Sequence, residues 1–168
     1  MRPESADIAA LYDAHARRVW RMIARLGVSP AHIEDVVQDV FLTAYQRLKD
    51  FEGRSEPETW LLGIAVRLAA NARRAKRVEV ELPDSALDPS RSPEEQLERR
   101  RSLEELDRVL SQLPDEQREI VVLMDLEQLT APQVAEALDV KLNTIYSRLR
   151  LGRAALARAL APKIEVAS

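Results

Sequence analysis

One spacing constrains this chain more than any other feature. Apolar residues recur every three or four positions along most of its length and form no long alternating run. That interval gathers side chains on one stripe of an α-helix, whereas a half-buried strand needs a period of two. Ile8, Leu11, Tyr12, Val19, Met22, Ile23 and Leu26 make a first stripe, from near Glu4 to Leu26, and Gly27 stops it. Ser29-Pro30 reads as an N-cap and a first helical residue. The helix it opens runs to about Lys49 and buries Ile33, Val36, Val37, Val40, Phe41, Ala44 and Leu48. After a loop from Asp50 to Ser55, the capping-box pattern Ser55-Glu56-Pro57-Glu58 starts a third helix, with Trp60, Leu61, Ile64, Ala65 and Leu68 on its core face.

Residues 78–92 interrupt the pattern with two prolines, several acids and little apolar period, which predicts a flexible linker. Ser92-Pro93-Glu94-Glu95 then caps a helix carrying Leu97, Leu103, Leu106, Leu110 and Leu113. Pro114 restarts the chain before Ile120, Val121, Leu123 and Met124. The expected fold is therefore all-α. Two small helical domains, 1–77 and 93–168, are joined by an acidic linker at 78–92. The net charge of −3 conceals an uneven distribution. Residues 1–78 hold 13 Lys/Arg against 10 Asp/Glu, residues 79–127 hold 6 against 15, and residues 128–168 hold 6 against 3. Two mildly basic lobes flank an acidic middle, and such clustering is compatible with nucleic-acid binding at a negative total.

The stretch Thr130–Leu160 reads as a short helix, a tight turn and a longer basic helix. Thr130 with Gln133 is a capping box, and Pro132 falls in the first turn. Asp139 is one of the few residue types that tolerate a left-handed turn position. Ile145, Leu149, Leu156 and Leu160 then face inward, opposite Asn143, Tyr146, Ser147, Arg150 and Arg153. Amides, hydroxyls and guanidinium groups are what base edges and phosphates require, so the stretch predicts a helix-turn-helix whose second helix enters the major groove. Two amphipathic helices of a plain bundle would share the apolar pattern.

In the first lobe, Arg67, Asn71 and Arg74 fall on one face of a segment that has no acid from Thr59 to Val78, with Arg73, Lys76 and Arg77 beside them. This basic stripe suits phosphates. A cationic helix C-terminus would explain Arg74, Lys76 and Arg77, but not Arg67. Glu34, Asp35, Gln38, Asp39 and Gln46 mark an acidic outer face on the second helix, which taken alone is an ordinary solvated surface. With 2 histidines and 0 cysteines, no metal site is expected. No phosphate-binding glycine loop or nucleophile motif is present, so neither a cofactor nor catalysis is expected. No apolar run is long enough to span a membrane.

Four segments in this order resemble the bacterial RNA polymerase sigma factors of the sigma-70 class, in their compact extracytoplasmic-function (ECF) group. They are LYDAHARRVWRMIARL at 11–26, EDVVQDVFLTAYQRL at 34–48, FEGRSEPETWLLGIAVRLAANARR at 51–74 and the stretch 113–156. The second and fourth are the most specific. The resemblance implies that Asp35, Gln38 and Asp39, with Leu42 and Tyr45, dock on the β′ clamp of core RNA polymerase, whose β subunit also takes part. It implies that Phe51, Gly53, Arg54, Ser55, Thr59 and Trp60 capture a flipped base of the promoter −10 element, with Arg67, Asn71, Arg74 and Arg77 on the duplex upstream. Lys141, Asn143, Thr144, Tyr146, Ser147, Arg148, Arg150 and Arg153 would read or clamp the −35 element, and the linker would keep the lobes apart at promoter spacing.

The implied partners are core polymerase, promoter DNA and an anti-sigma factor, in the cytoplasm. Three departures affect promoter sequence. Pro57 replaces a frequent aromatic. Lys141-Leu142 replaces a more usual Ser-Glu, which suggests Asn143 as the N-cap. Leu151 stands where Arg is common. A free-standing helix-turn-helix repressor, or a helical adaptor or enzyme with an incidental basic helix, would leave the 34–41 motif unexplained.

Overall fold

The computed structural model describes residues 5–75 and 92–164. Among them lie seven α-helices: α1 (Ser5–Arg25), α2 (Pro30–Arg47), α3 (Pro57–Ala75), α4 (Pro93–Ser111), α5 (Asp115–Val121), α6 (Ala131–Leu138) and α7 (Leu142–Ile164). A 3₁₀ turn, Leu48–Asp50, ends α2, and a π-helical turn, Val122–Leu126, ends α5. The expected linker and Arg77 lie outside the described residues, apart from Ser92.

The first lobe is a three-helix bundle. Each helix contributes one stripe, with Val19, Met22, Ile23 and Leu26 from α1, Ile33, Val37 and Val40 from α2, and Leu61, Ala65 and Ala69 from α3. Gly27, at φ +89, ends α1 in the left-handed region that glycine adopts without cost. Ser29 precedes Pro30 as expected, but its side chain makes no capping bond. Helix α3 starts at Pro57, and the Trp60 amide donates to the carbonyl of Glu56, so the box expected at Ser55 falls one residue early. Glu58 instead meets Arg18 and His15. Tyr12, expected inside, is 47% exposed, and its ring packs edge-on against Phe41.

In the second lobe the expected N-cap at Ser92 forms, as a capping box with Glu95, and so does the expected capping box of Thr130 with Gln133. Leu97 is exposed, so the apolar stripe of α4 takes hold only nearer its C-terminal end, at Val109 and Leu110. Asp139 takes the left-handed conformation and sets the angle between α6 and α7. Helix α7 begins at Leu142. The carbonyl of Lys141 accepts from Thr144 and Ile145, so Lys141, and not Asn143, occupies the N-cap. The π-helical turn inserts one extra residue. Glu127 donates its amide to Val122 at 2.9 Å, and Gln128 follows at φ 60 with its side-chain amide on the Asp125 carbonyl. No periodicity argument signals this turn, yet it rotates Glu127 inward to near-complete burial.

The two lobes pack together. Their buried residues form one contiguous apolar cluster, and α3 lies against α6.

Candidate nucleic-acid interface

Three surfaces carry the candidate residues. On α2, Asp35, Gln38, Asp39, Leu42 and Tyr45 are all exposed, opposite a face that is fully buried. Leu42 and Tyr45 are each 54% exposed. Large apolar side chains beside carboxylates, on a helix whose other side is already satisfied, make a surface suited to a partner with apolar and cationic groups.

The second surface is the loop before α3 and the start of that helix. Phe51 and Trp60 hold their rings 5.0 Å apart at a tilt of 45°. They are half-buried, leaving aromatic surface beside the exposed Gly53 and Arg54. Gly53 takes φ +69 with open space around it, and Arg54 pairs with Glu52 at 2.5 Å. An aromatic wall next to polar groups is what a base drawn out of a stack requires. Asn71 and Arg74 are exposed farther along α3.

Arg67 and Arg73, expected with them on or beside the basic stripe, bond to the other lobe, Arg67 while remaining exposed and Arg73 half-buried. Arg67 donates through Nε to the Ala137 carbonyl at 2.6 Å and through Nη2 to Glu136 at 3.1 Å, at the C-terminal end of α6. Arg73 donates to the Leu26 carbonyl and pairs with Glu119. Thr59 accepts from Gln133 at 3.5 Å.

The third surface is the outer side of α7. Lys141, Asn143, Tyr146, Ser147 and Arg150 are exposed, and Thr144 is half-buried. Leu142 and Leu151 are exposed beside them, adding apolar surface where the sequence departs from the pattern it otherwise resembles. Arg148 turns towards α5 and pairs with Glu116 at 2.9 Å. Arg153 is held by both carboxylate oxygens of Asp125, at 2.5 and 3.0 Å, and that pairing raises its pKa.

Sequence reasoning missed a set of groups between the lobes. Arg18 spans Glu58 and the buried Glu127, with Nε to the Glu127 carboxylate at 2.6 Å and Nη2 to its backbone carbonyl at 2.9 Å. Burial opposes its charge, but the two carboxylates outweigh burial and raise its pKa. Arg25 meets Asp107 at 3.3 Å. Arg118 is buried and donates to the carbonyls of Leu110, Ser111 and Leu113 at 2.9–3.0 Å, capping α4, and to Leu26 at 3.5 Å. Burial holds its pKa below the ordinary value, opposed by Asp115 and reinforced by Arg73. The uneven charge along the chain was the one signal of this set: Asp107, Glu119 and Glu127 all belong to the acidic middle.

Among the described residues no group of three or more His, Asp or Glu could hold a metal ion, and no helix is long and apolar enough to cross a membrane. A helix-turn-helix with an exposed polar face, joined to a bundle with a second basic and aromatic face, defines a DNA-binding protein of transcription. The chain matches the family described as Sigma-70 region 2 over residues 11–78, and that described as Sigma-70, region 4 over residues 103–156. The ECF RNA polymerase sigma factor SigE of Mycolicibacterium smegmatis is 34% identical over 146 residues, covering 83% of this chain and 56% of that protein. The ECF sigma factor SigK of Mycobacterium sp. (strain KMS) is 32% identical over 153 residues, covering 86% and 78%. The sigma factor RpoE, solved in complex with the anti-sigma factor NepR from Bartonella quintana, shares the fold with a TM-score of 0.71 at 21% identity, over 92% of this chain and 97% of that one. The chain belongs to the ECF group of the sigma-70 family and directs promoter-specific initiation by RNA polymerase.

Proposed function

We propose that this sigma factor divides its work between the three surfaces. The outer face of α2, through Asp35, Gln38, Asp39, Leu42 and Tyr45, docks on the β′ clamp of core polymerase, and residues 93–168 reach the β subunit. The Phe51–Trp60 pocket, with Gly53, Arg54, Ser55 and Thr59, receives a base of the −10 element. Asn71 and Arg74, joined by Arg67 and Arg77, hold the duplex upstream. The exposed side of α7 reads the −35 element through Lys141, Asn143, Thr144, Tyr146, Ser147 and Arg150, with Arg148 and Arg153 at its margins. Residues 78–92 connect the domains 1–77 and 93–168. The protein acts in the cytoplasm by binding alone, and an anti-sigma factor is its expected antagonist.

One observation carries this reading: Leu42 and Tyr45 stand 54% exposed among carboxylates on a helix that already buries its other face. A free-standing repressor has no use for such a surface. The test is capture of purified core polymerase by the Asp35→Arg/Asp39→Arg variant, together with run-off transcription on a genomic promoter library. The variant should lose both polymerase association and transcripts. Normal binding to core would remove α2 as the docking face. Specific duplex binding without polymerase, and no transcript from the parent protein, would favour the repressor.

A further inference from the structure

The first turn of α7 presents an apolar edge to its surroundings. Leu142, the first residue of the helix, is 40% exposed, and Tyr146, one turn on, is 53% exposed. Residues four apart share one side of a helix, so the two lie along one line. Asn143 and Ser147, each the next residue along and also exposed, make a polar edge beside it. A single exposed leucine is ordinary, but this one stands at a helix start. The apolar task there is to staple the entering chain to the fourth helical residue. Val140, which precedes the cap and packs on the core, and the buried Ile145 already hold those two places. Leu142 is not needed for that task. In a helix-turn-helix, the first residues of the second helix meet base edges in the major groove. Those edges offer donors, acceptors and one methyl group, the 5-methyl of thymine. Against a cytosine amine, a leucine would leave a donor without a partner, at a cost in affinity.

We propose that Leu142 is a specificity-determining residue, whose side chain, with Tyr146 beside it, packs on the 5-methyl group of a thymine in the −35 element. With α7 as the −35 helix, the reading on which this rests, one base of the element is then thymine. The methyl selects it, while Asn143 and Ser147 alongside supply hydrogen bonds to neighbouring groups.

The test uses holoenzyme assembled from core polymerase and the full-length protein. Promoters selected from a genomic library define the −35 element. Each thymine in it is then replaced by deoxyuridine, which removes the methyl and leaves every hydrogen-bonding group in place. At one position the affinity of holoenzyme, read by gel shift, should fall about threefold to fivefold, the factor that burial of one methyl supplies. With Leu142→Ala the parent promoter should bind more weakly by a similar factor, and thymine and deoxyuridine should then bind alike at that position. Leu142→Glu supplies an acceptor for the cytosine amine, and should move the preference there from T·A to C·G. A merely structural role for Leu142 would lower affinity for all promoters and leave the discrimination between thymine and deoxyuridine intact. The proposal is overturned if no thymine of the element is sensitive to loss of its methyl, or if Leu142→Ala discriminates as the parent does. A parent holoenzyme indifferent to every base change in the −35 region would remove the α7 reading itself, and the methyl contact with it.

Discussion

Gly27 leaves the space that Arg118 fills. A Cβ on Gly27 would collide with the Arg118 guanidinium and sit 3.5 Å from the Arg73 side chain. The carbonyl just before it, Leu26, is where both guanidinium groups converge. One residue thus ends α1 at φ +89 and admits an arginine from the opposite lobe. Gly27→Ala should destabilise the protein by about 1–3 kcal/mol, measured by urea unfolding. Gly27→Asn separates the two causes, because asparagine tolerates the left-handed backbone but adds the same Cβ. If the collision dominates, Asn stays close to Ala.

Arg118 serves the second lobe as well. Three carbonyls at the end of α4 depend on it. Arg118→Met keeps much of the volume but leaves those acceptors without their donor, at a cost of about 1–3 kcal/mol. The urea midpoint should fall. Because Arg118 also reaches Leu26, the same variant should loosen the packing of the two lobes, visible as a larger radius in small-angle scattering.

Gly152 is the point where α7 meets α5. A Cβ there would lie 2.7 Å from Val121 Cγ2 and 3.3 Å from the Gln117 carbonyl. The backbone oxygen cannot yield, so Gly152→Ala should cost about 1–3 kcal/mol through overpacking. It should also weaken binding to −35 duplex by tilting α7. Val121→Ala in the same chain relieves the nearer contact and should recover part of both losses.

The carboxyl of Asp107 lies above its ordinary value of 3.8, because burial penalises its charge more than Arg25 favours it. A carboxyl raised by folding holds its proton more tightly in the folded state. Its contribution to stability is therefore present below 3.8 and is lost as pH rises through the raised value. Asp107→Asn removes the charge and keeps an acceptor for Arg25. The variant should be more stable than the parent at neutral pH, and the difference should vanish below 3.8. A difference that grows in acid would reverse the assignment.

The helices were legible because apolar spacing and capping chemistry are local. Thr130 with Gln133, Ser92 with Glu95, and the left-handed Asp139 all form as their residue types dictate. Tyr12 and Leu97 sit at helical spacing yet stand exposed, since periodicity marks a stripe and not where its cover ends. The π-helical turn was not legible. It places Glu127 against Arg18, a contact across 109 positions. Arg67 and Arg73 were expected with Arg74 on or beside one basic stripe. Arg67 bonds to Ala137 and Glu136 of the other lobe, and Arg73 to its Glu119 as well as to Leu26 of its own lobe, and helix spacing carries no information about that packing.

Arg150 and Arg153 test how α7 divides its work. Both are exposed, but Arg153 is held by Asp125 through two bonds. To reach DNA it must surrender that pair, so part of any gain is cancelled. Arg150 projects from the same surface without that pairing to overcome. Arg150→Ala should therefore weaken −35 duplex binding by about 1–3 kcal/mol if it contacts a base edge. If it instead contacts a phosphate, the loss should be uniform across sequences and the salt slope should fall by about 1. Arg153→Ala should cost less than Arg150→Ala at the same salt. Asp125→Asn frees Arg153 and should strengthen binding, most clearly at low ionic strength, where the released cation is least screened. If Arg153→Ala proves the more damaging of the two, the Asp125 pair is a positioning device that aims Arg153 at the backbone, and Asp125→Asn should then weaken binding instead.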